Sequence, residues 1–326
     1  MRNKPCRHWH TGAMRLHRHL DHLDHLGHLG RLALLCGLLL CTAFHVAVQA
    51  QPQQAPVAES GPAALLEKHT ALAGQLAQNA FRRPLFLESS EGANAVTGSA
   101  YAVLNSPFAT VSGTFKSPRR WCEVLILHLN TKHCRASVDE SPSVLNMHIG
   151  KKTEQPLDDA FGLQFSFRLA ASSPDYLAAQ LRADKGPLGT QNYRIELQAV
   201  PLPDGKTFMH LRYSYGYGVA SRLAMQGYLA TAGSGKVGFT QVQRGSTMGY
   251  VDGMRGTVER NTMRYYLAIE AYLDSLDKPP AQQLDARLRQ WFDATEQYAR
   301  QLHEVDKESY LAMKRAEYQR QQASAS

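Results

Sequence analysis

The chain has 326 residues, with 36 Lys plus Arg against 28 Asp plus Glu and a formal charge of +8. Its first fifty residues hold six of those basic residues, two of the acidic ones, eight of the fourteen histidines and three of the five cysteines. The remainder carries 30 basic against 26 acidic residues, a balance too even to point to nucleic acid.

Residues 32 to 48, LALLCGLLLCTAFHVAV, are apolar but short for a membrane span, and Val48-Gln49-Ala50 places small residues where a signal peptidase reads. Residues 1–50 are therefore read as a signal peptide with a long His-rich front end, cleaved after Ala50. The product is expected in the periplasm or outside the cell. The alternative is a protein anchored in the inner membrane by an uncleaved N-terminal segment. The run HLDHLDHLGHLG invites a metal-binding reading, but it lies in the part that is removed, and Met14 is an alternative start. Residues 51–61, QPQQAPVAESG, have no apolar period and read as a disordered tether.

Residues 62–95 form the next unit. Leu65, Leu66, Leu72 and Leu76 repeat at helical intervals over 62 to 80. The short runs LFLESSE and VTGSAYAVL then read as strands joined at Gly92-Ala93-Asn94. A helix is expected from about Pro107, leading into WCEVLILHLNTKHC, residues 121 to 134, where Cys122, His128, His133 and Cys134 surround an apolar run.

After the leader is cut, Cys122 and Cys134 are the only cysteines left. Two cysteines in an exported chain are expected to pair; free buried thiols and a zinc set are the other readings, though the spacing matches no defensible zinc pattern. A bridge needs α-carbons within roughly 7 Å, while twelve residues of unbroken helix separate them by about 18 Å. The chain must therefore reverse near Asn130-Thr131, with the helix ending near Leu129. His128 and His133 are then expected as polar surface or rim residues.

From Leu145 to Tyr217 the period is two. Phe161, Leu163, Phe165, Phe167 and Leu169 share one face of FGLQFSFRLA, as do Tyr193, Ile195, Leu197 and Ala199 in YRIELQAV, and Met209, Leu211, Tyr213, Tyr215 and Tyr217 in the strand that follows. LNMHIGK and YLAAQLRAD are weaker members. Arg168, Arg194, Arg212 and His210 fall on the other face, so the pattern predicts an antiparallel meander with one face in water. Its cover is a helix over 254 to 277, with Val258, Thr262, Tyr265, Ile269, Tyr272 and Leu276 as a stripe. Between them, Val219, Leu223, Met225, Tyr228 and Leu229 form a short amphipathic helix, either a lid or a cap. TAGSGKVG fails as a phosphate loop because Ala230 and Val237 occupy required positions. A last helix, about 281 to 320, has Leu284, Leu288, Trp291, Phe292, Tyr298, Leu302 and Val305 on one side and is expected to pack at its start and fray at its end.

This order of elements over residues 96–277, with the Pro107-Phe108 helix opening, Trp121 and the helix from Arg260 to Leu276, resembles the helix-grip fold of START and polyketide-cyclase-like (SRPBCC) proteins. The resemblance implies an α+β fold with an antiparallel sheet wrapped around a long C-terminal helix, here with extra N-terminal helices and the C-terminal segment 281–326. It also implies a cavity between sheet and helix, lined in this chain by Met147, Phe165, Phe167, Leu197, Met209, Tyr213, Tyr215, Tyr265 and Ile269. The expected ligand is a hydrophobic or amphipathic small molecule or lipid, with no cofactor, no metal and no catalytic residue assigned. Two alternatives remain at this point: a cyclase-like enzyme using Tyr213 or Arg212 with His210, and a non-catalytic module that meets an envelope protein through the helix over 281–320.

Overall fold

The computed structural model describes residues 61–137, 142–231 and 233–323. The signal peptide, its His-rich run, Met14 and the cleavage site lie outside the described residues, as does the tether except Gly61. No helix among the described residues is long and apolar enough to cross a membrane.

Two short helices open the described chain, α1 (Pro62–Ala71) and α2 (Ala73–Ala77). The single helix expected there breaks at Leu72, which lets Leu65, Leu72 and Leu76 all bury while Leu66 remains exposed. The strands β1 (Leu85–Glu91) and β2 (Ala95–Leu104) follow, joined by the Gly-Ala-Asn turn. The helix expected from Pro107 to Leu129 is two helices, α3 (Phe108–Phe115) and α4 (Pro118–Leu125). Pro118 explains the break, because its ring excludes the residue before it from helical geometry and suits the first position of a new helix.

The strands β3 (Thr131–Ser137), β4 (Val144–Ile149), β5 (Phe161–Ser172), β6 (Leu177–Lys185), β7 (Gln191–Pro201) and β8 (Thr207–Gly216) form the meander. It begins one strand earlier than the period-two pattern marks. β8 then pairs with β2, giving an eight-stranded antiparallel sheet of order β1-β2-β8-β7-β6-β5-β4-β3. The chain continues through α5 (Val219–Ala230), a hairpin of β9 (Gln241–Arg244) and β10 (Thr247–Tyr250), and the long helix α6 (Gly253–Asp274). α6 lies in the inner face of the sheet against β1, β2 and β8. It comes closest at Gly98, where any side chain would run into Thr262 and stand 3.3 Å from the Val258 carbonyl oxygen. The sheet gripping this helix, with α3 and α4 inserted between β2 and β3, is an α+β helix-grip fold.

Two expectations change here. The outer face of the sheet is only partly solvated, because Leu65, Leu72 and Leu76 pack on Tyr101, Tyr176, Ala178, Val200 and Phe208 in a second apolar cluster. The last helix is three: α7 (Pro280–Glu296), α8 (Ala299–Leu302) and α9 (Lys307–Ala323). Asp306 sets the restart, its carboxylate accepting the Ser309 N–H at 2.8 Å in the manner of a helix cap. α9 does not fray. It folds back along the free edge of β3, where Gln321 Oε1 accepts the Cys134 N–H at 3.1 Å and blunts an otherwise open strand. Leu288, Trp291, Phe292, Leu302, Tyr310 and Met313 are buried in the main core. The apolar side of the C-terminal segment is thus consumed by folding, which removes the surface on which an envelope partner was expected.

Candidate functional site

Cys122 and Cys134 are joined by a disulfide with α-carbons 5.2 Å apart. The reversal at Asn130-Thr131 brings the end of α4 onto the start of β3, and both sulfurs enter the core. Trp121 packs beside the bridge and donates from Nε1 to the Phe115 carbonyl at 3.1 Å. The zinc reading of this stretch falls because the sulfurs are bonded to each other. His128 and His133, expected at the surface, are buried. His128 Nδ1 accepts the Asn130 N–H at 3.1 Å, which closes the reversal, and its ring lies 4.9 Å from that of Tyr265. Burial, with Arg264, Lys314 and Lys152 nearby, pushes His128 well down, so it stays neutral. His133 faces His148 across the β3–β4 ladder at 5.7 Å between ring centroids.

Of the nine residues expected to line a cavity, eight belong to one buried apolar core and Tyr265, half-buried, packs against it. Met147, Phe165, Phe167, Leu197 and Met209 come from the inner face of β4, β5, β7 and β8, and Tyr265 and Ile269 from α6. The tyrosines collect where β7 begins and β8 ends. Tyr193 and Tyr215 stack at 5.3 Å, and Tyr213 meets Tyr265 edge-on at 5.3 Å. Tyr193 shares a hydrogen bond of 2.7 Å with Thr190. Burial raises Tyr193 to about 12 and lifts Tyr213, Tyr215 and Tyr265 above their ordinary value, so all four remain protonated. The buried Tyr215 hydroxyl has no hydrogen-bond partner among the described residues. Two residues on, the Tyr217 hydroxyl donates to the Gly92 carbonyl at 3.1 Å.

α5 stands over this end of the sheet with Met225 buried and Leu229 half-buried, while Val219 and Leu223 of the same expected stripe face outward. On the far side, Lys152 from the β4–β5 loop, Lys236 and Arg264 converge on Glu304, at 2.6, 3.6 and 2.8 Å. Nothing in the sequence pattern joins these four residues, which come from separate elements. Lys236 belongs to the Gly-rich turn whose phosphate-loop reading fails; it donates to the His303 carbonyl.

Two of the residues expected of a cyclase-like enzyme, His210 and Arg212, lie on the outer face of the sheet. His210 and Arg212 project away from Tyr213 by strand alternation. His210 stacks on Tyr101 at 4.1 Å, bonds Ser99 at 3.1 Å, and is lowered to about 3 by burial. Arg212 pairs with Glu196 at 3.7 Å in solvent, and Arg168 and Arg194 are exposed. A cleft of about 520 Å³ opens between α6 and α7 rather than under the sheet. Its charged groups answer one another: Glu270 accepts from Arg83 at 2.5 Å and from Tyr266 at 2.6 Å. It reads as a structural seam.

No family model matches the chain, and no curated protein matches it. Among solved structures it is similar to human StAR-related lipid transfer protein 5, with a TM-score of 0.34, 8% identity, and coverage of 67% of this chain and 100% of that one. It is also similar to norcoclaurine synthase of Thalictrum flavum, with a TM-score of 0.31, 12% identity, and coverage of 44% and 89%. A third is the human StarD13 (DLC2) lipid transfer and protein localization domain, with a TM-score of 0.27, 10% identity, and coverage of 48% and 88%. The description of the chain as a helix-grip fold stands on the strand order and the placement of α6.

Proposed function

We propose that the protein is an exported binding or carrier protein, which holds a hydrophobic or amphipathic small molecule between the sheet and α6 at the tyrosine-lined end. The observation that carries this reading is the Tyr215 hydroxyl, buried among aromatic carbon with no acceptor or donor among the described residues. An unsatisfied buried hydroxyl costs about 1–3 kcal/mol, and a ligand oxygen placed there removes that cost. Sites that bind apolar molecules commonly combine aromatic walls with a few oriented polar groups. Because the rings now touch one another, admission of a ligand requires them to part, and α5 is the element that moves, since it contributes few side chains to the core. The bridged cysteines and the signal-like leader support a location in the periplasm or outside the cell.

Native mass spectrometry of protein taken from the periplasm tests the reading, and an added mass that organic extraction removes is the expected result. A clean apo mass, together with no displacement of a fluorescent fatty probe, overturns it.

A further inference from the structure

The polar side of the tyrosine-lined end is not neutral. Three cations, Lys152, Lys236 and Arg264, meet one carboxylate, Glu304. Arg264 is buried, but Lys152 and Lys236 keep 21% and 25% of their side-chain surface in contact with solvent. Glu304 is the sole partner of Lys152 among the described residues. Arg260, one turn before Arg264 on α6, adds further positive potential. Burial, with Arg264 and Arg260, lowers Lys152 to about 8 despite the carboxylate. Three cations around one carboxylate leave net positive charge, which attracts a counter-ion.

The cations and the tyrosines are neighbours through α6. Arg264 adjoins Tyr265 in the chain and lies 3.5 Å from Asn261 Oδ1. Asn261 in turn stands beside the Tyr213 hydroxyl. His128, whose ring lies tilted against that of Tyr265, feels both Arg264 and Lys152. An aromatic floor therefore runs into a wet cationic rim across a single turn of α6.

We infer that the ligand is an amphipathic anion, whose carboxylate or phosphate head is held by Lys152, Lys236 and Arg264 while its apolar body lies among Tyr193, Tyr213, Tyr215 and Tyr265. The inference rests on the proposed binding function and narrows its ligand. The head group approaches along the solvent-facing sides of Lys152 and Lys236, and Glu304 yields one of its ion pairs to it.

The experiment compares decanoate, decanol and inorganic phosphate on the delipidated protein by calorimetry and thermal shift. The variants are Lys152→Gln/Lys236→Gln and, as a control for net charge, Lys206→Gln in the β7–β8 turn at the other end of the strands. Decanoate should bind about tenfold or more tightly than decanol, as expected for charge-assisted contacts. The double variant should erase that preference, and Lys206→Gln should keep it. Equal affinity for decanoate and decanol overturns the anionic head group and leaves the binding function standing. If neither chain binds but phosphate raises the melting temperature in the wild type and not in the double variant, the anion site stands and the apolar site falls. If none of the three probes binds, both readings fail.

Discussion

Buried charge is handled in opposite ways at two places in this molecule. Where α9 meets β3, Lys314 is fully buried and each of its protons has an acceptor: the His128 carbonyl, the Thr131 carbonyl and Glu317, all at 2.7 Å. Lys132, equally buried, reaches the Thr153 carbonyl at 2.9 Å and the same Glu317 at 3.1 Å. At the tyrosine-lined end, the buried Tyr215 hydroxyl has no hydrogen-bond partner among the described residues, and Lys152 and Lys236, gathered with Arg264 at Glu304, are still wet. A closed polar network specifies one arrangement of the chain, whereas an open one is completed by something from outside. The first region is a clasp that fixes the C-terminal helix, and the second is the region to which the proposed binding function is assigned.

The largest test of this contrast is Lys314→Met. Removing the ammonium takes one hydrogen bond from each of two carbonyls, of which that of His128 still accepts the Thr131 N–H, and leaves part of the Glu317 charge without a partner in a dry site. Breaking a buried pair from one side costs about 3–5 kcal/mol, so the variant should lose most of its denaturation midpoint or fail to accumulate. Chemical denaturation followed by tryptophan fluorescence measures it, with Trp291 stacked on Tyr310 of α9 as reporter. A loss below about 1 kcal/mol would mean the clasp is ornamental.

The disulfide is the next largest. It closes the reversal that delivers the His128 and Thr131 carbonyls to Lys314. Its loop, with a sequence separation of 12, is worth roughly 3 kcal/mol at most on the chain-entropy estimate. Cys122→Ser/Cys134→Ser should lower the midpoint by about 2–3 kcal/mol, and the loss should not add simply to that of Lys314→Met, because both act on one turn. Thiol titration of denatured, unreduced protein should give no free sulfhydryl.

The two regions also differed in how far they could be read from sequence. The inner-facing tyrosines and the disulfide were legible, because strand alternation fixes which residues share a face and two cysteines left after a signal-like leader are expected to pair. The clasp was not. Lys314 and Glu317 look like a solvated i,i+3 pair until α9 is seen to turn back on β3, and the turn depends on Asp306, whose capping signal lies inside an otherwise helical pattern. His128 and His133 are buried against the same expectation, since a polar residue next to a reversal is ordinarily wet, whereas Tyr265 of α6 lies against His128 and Arg320 of α9 stands near His133. Long-range convergence, as in Lys152, Lys236, Arg264 and Glu304, leaves no local trace.

A pH profile separates the regions with a smaller effect. Lys152 and Lys314 are each lowered from 10.5 to about 8 by burial. Between those values the unfolded chain holds more protons than the folded one, so stability rises with pH above about 8. The rise should continue to about pH 9.5, where ionisation of the tyrosines on unfolding begins to reverse it. Lys152→Gln should reduce the slope while leaving stability at pH 7 unchanged or slightly higher, since it removes surplus positive charge. An unchanged slope would place Lys152 outside the buried field.

The smallest expected change in stability is also the one that bears most directly on function. Tyr215→Phe removes only the oxygen without a partner and keeps the ring that stacks on Tyr193. If that oxygen serves the fold, its loss should cost what a buried hydrogen bond costs, about 1 kcal/mol. If it is kept for a ligand, the variant should melt at the same temperature as the wild type or a few degrees higher, because a desolvated hydroxyl has been deleted. Its affinity for a bound amphiphile should then fall about tenfold, which corresponds to roughly 1.4 kcal/mol. Tyr217→Phe, whose oxygen bonds Gly92, supplies the opposite control, with stability lost and affinity kept. A matched fall in melting temperature for both variants would mean that Tyr215 is satisfied in solution, and the tyrosine-lined end would then be a closed core like the clasp.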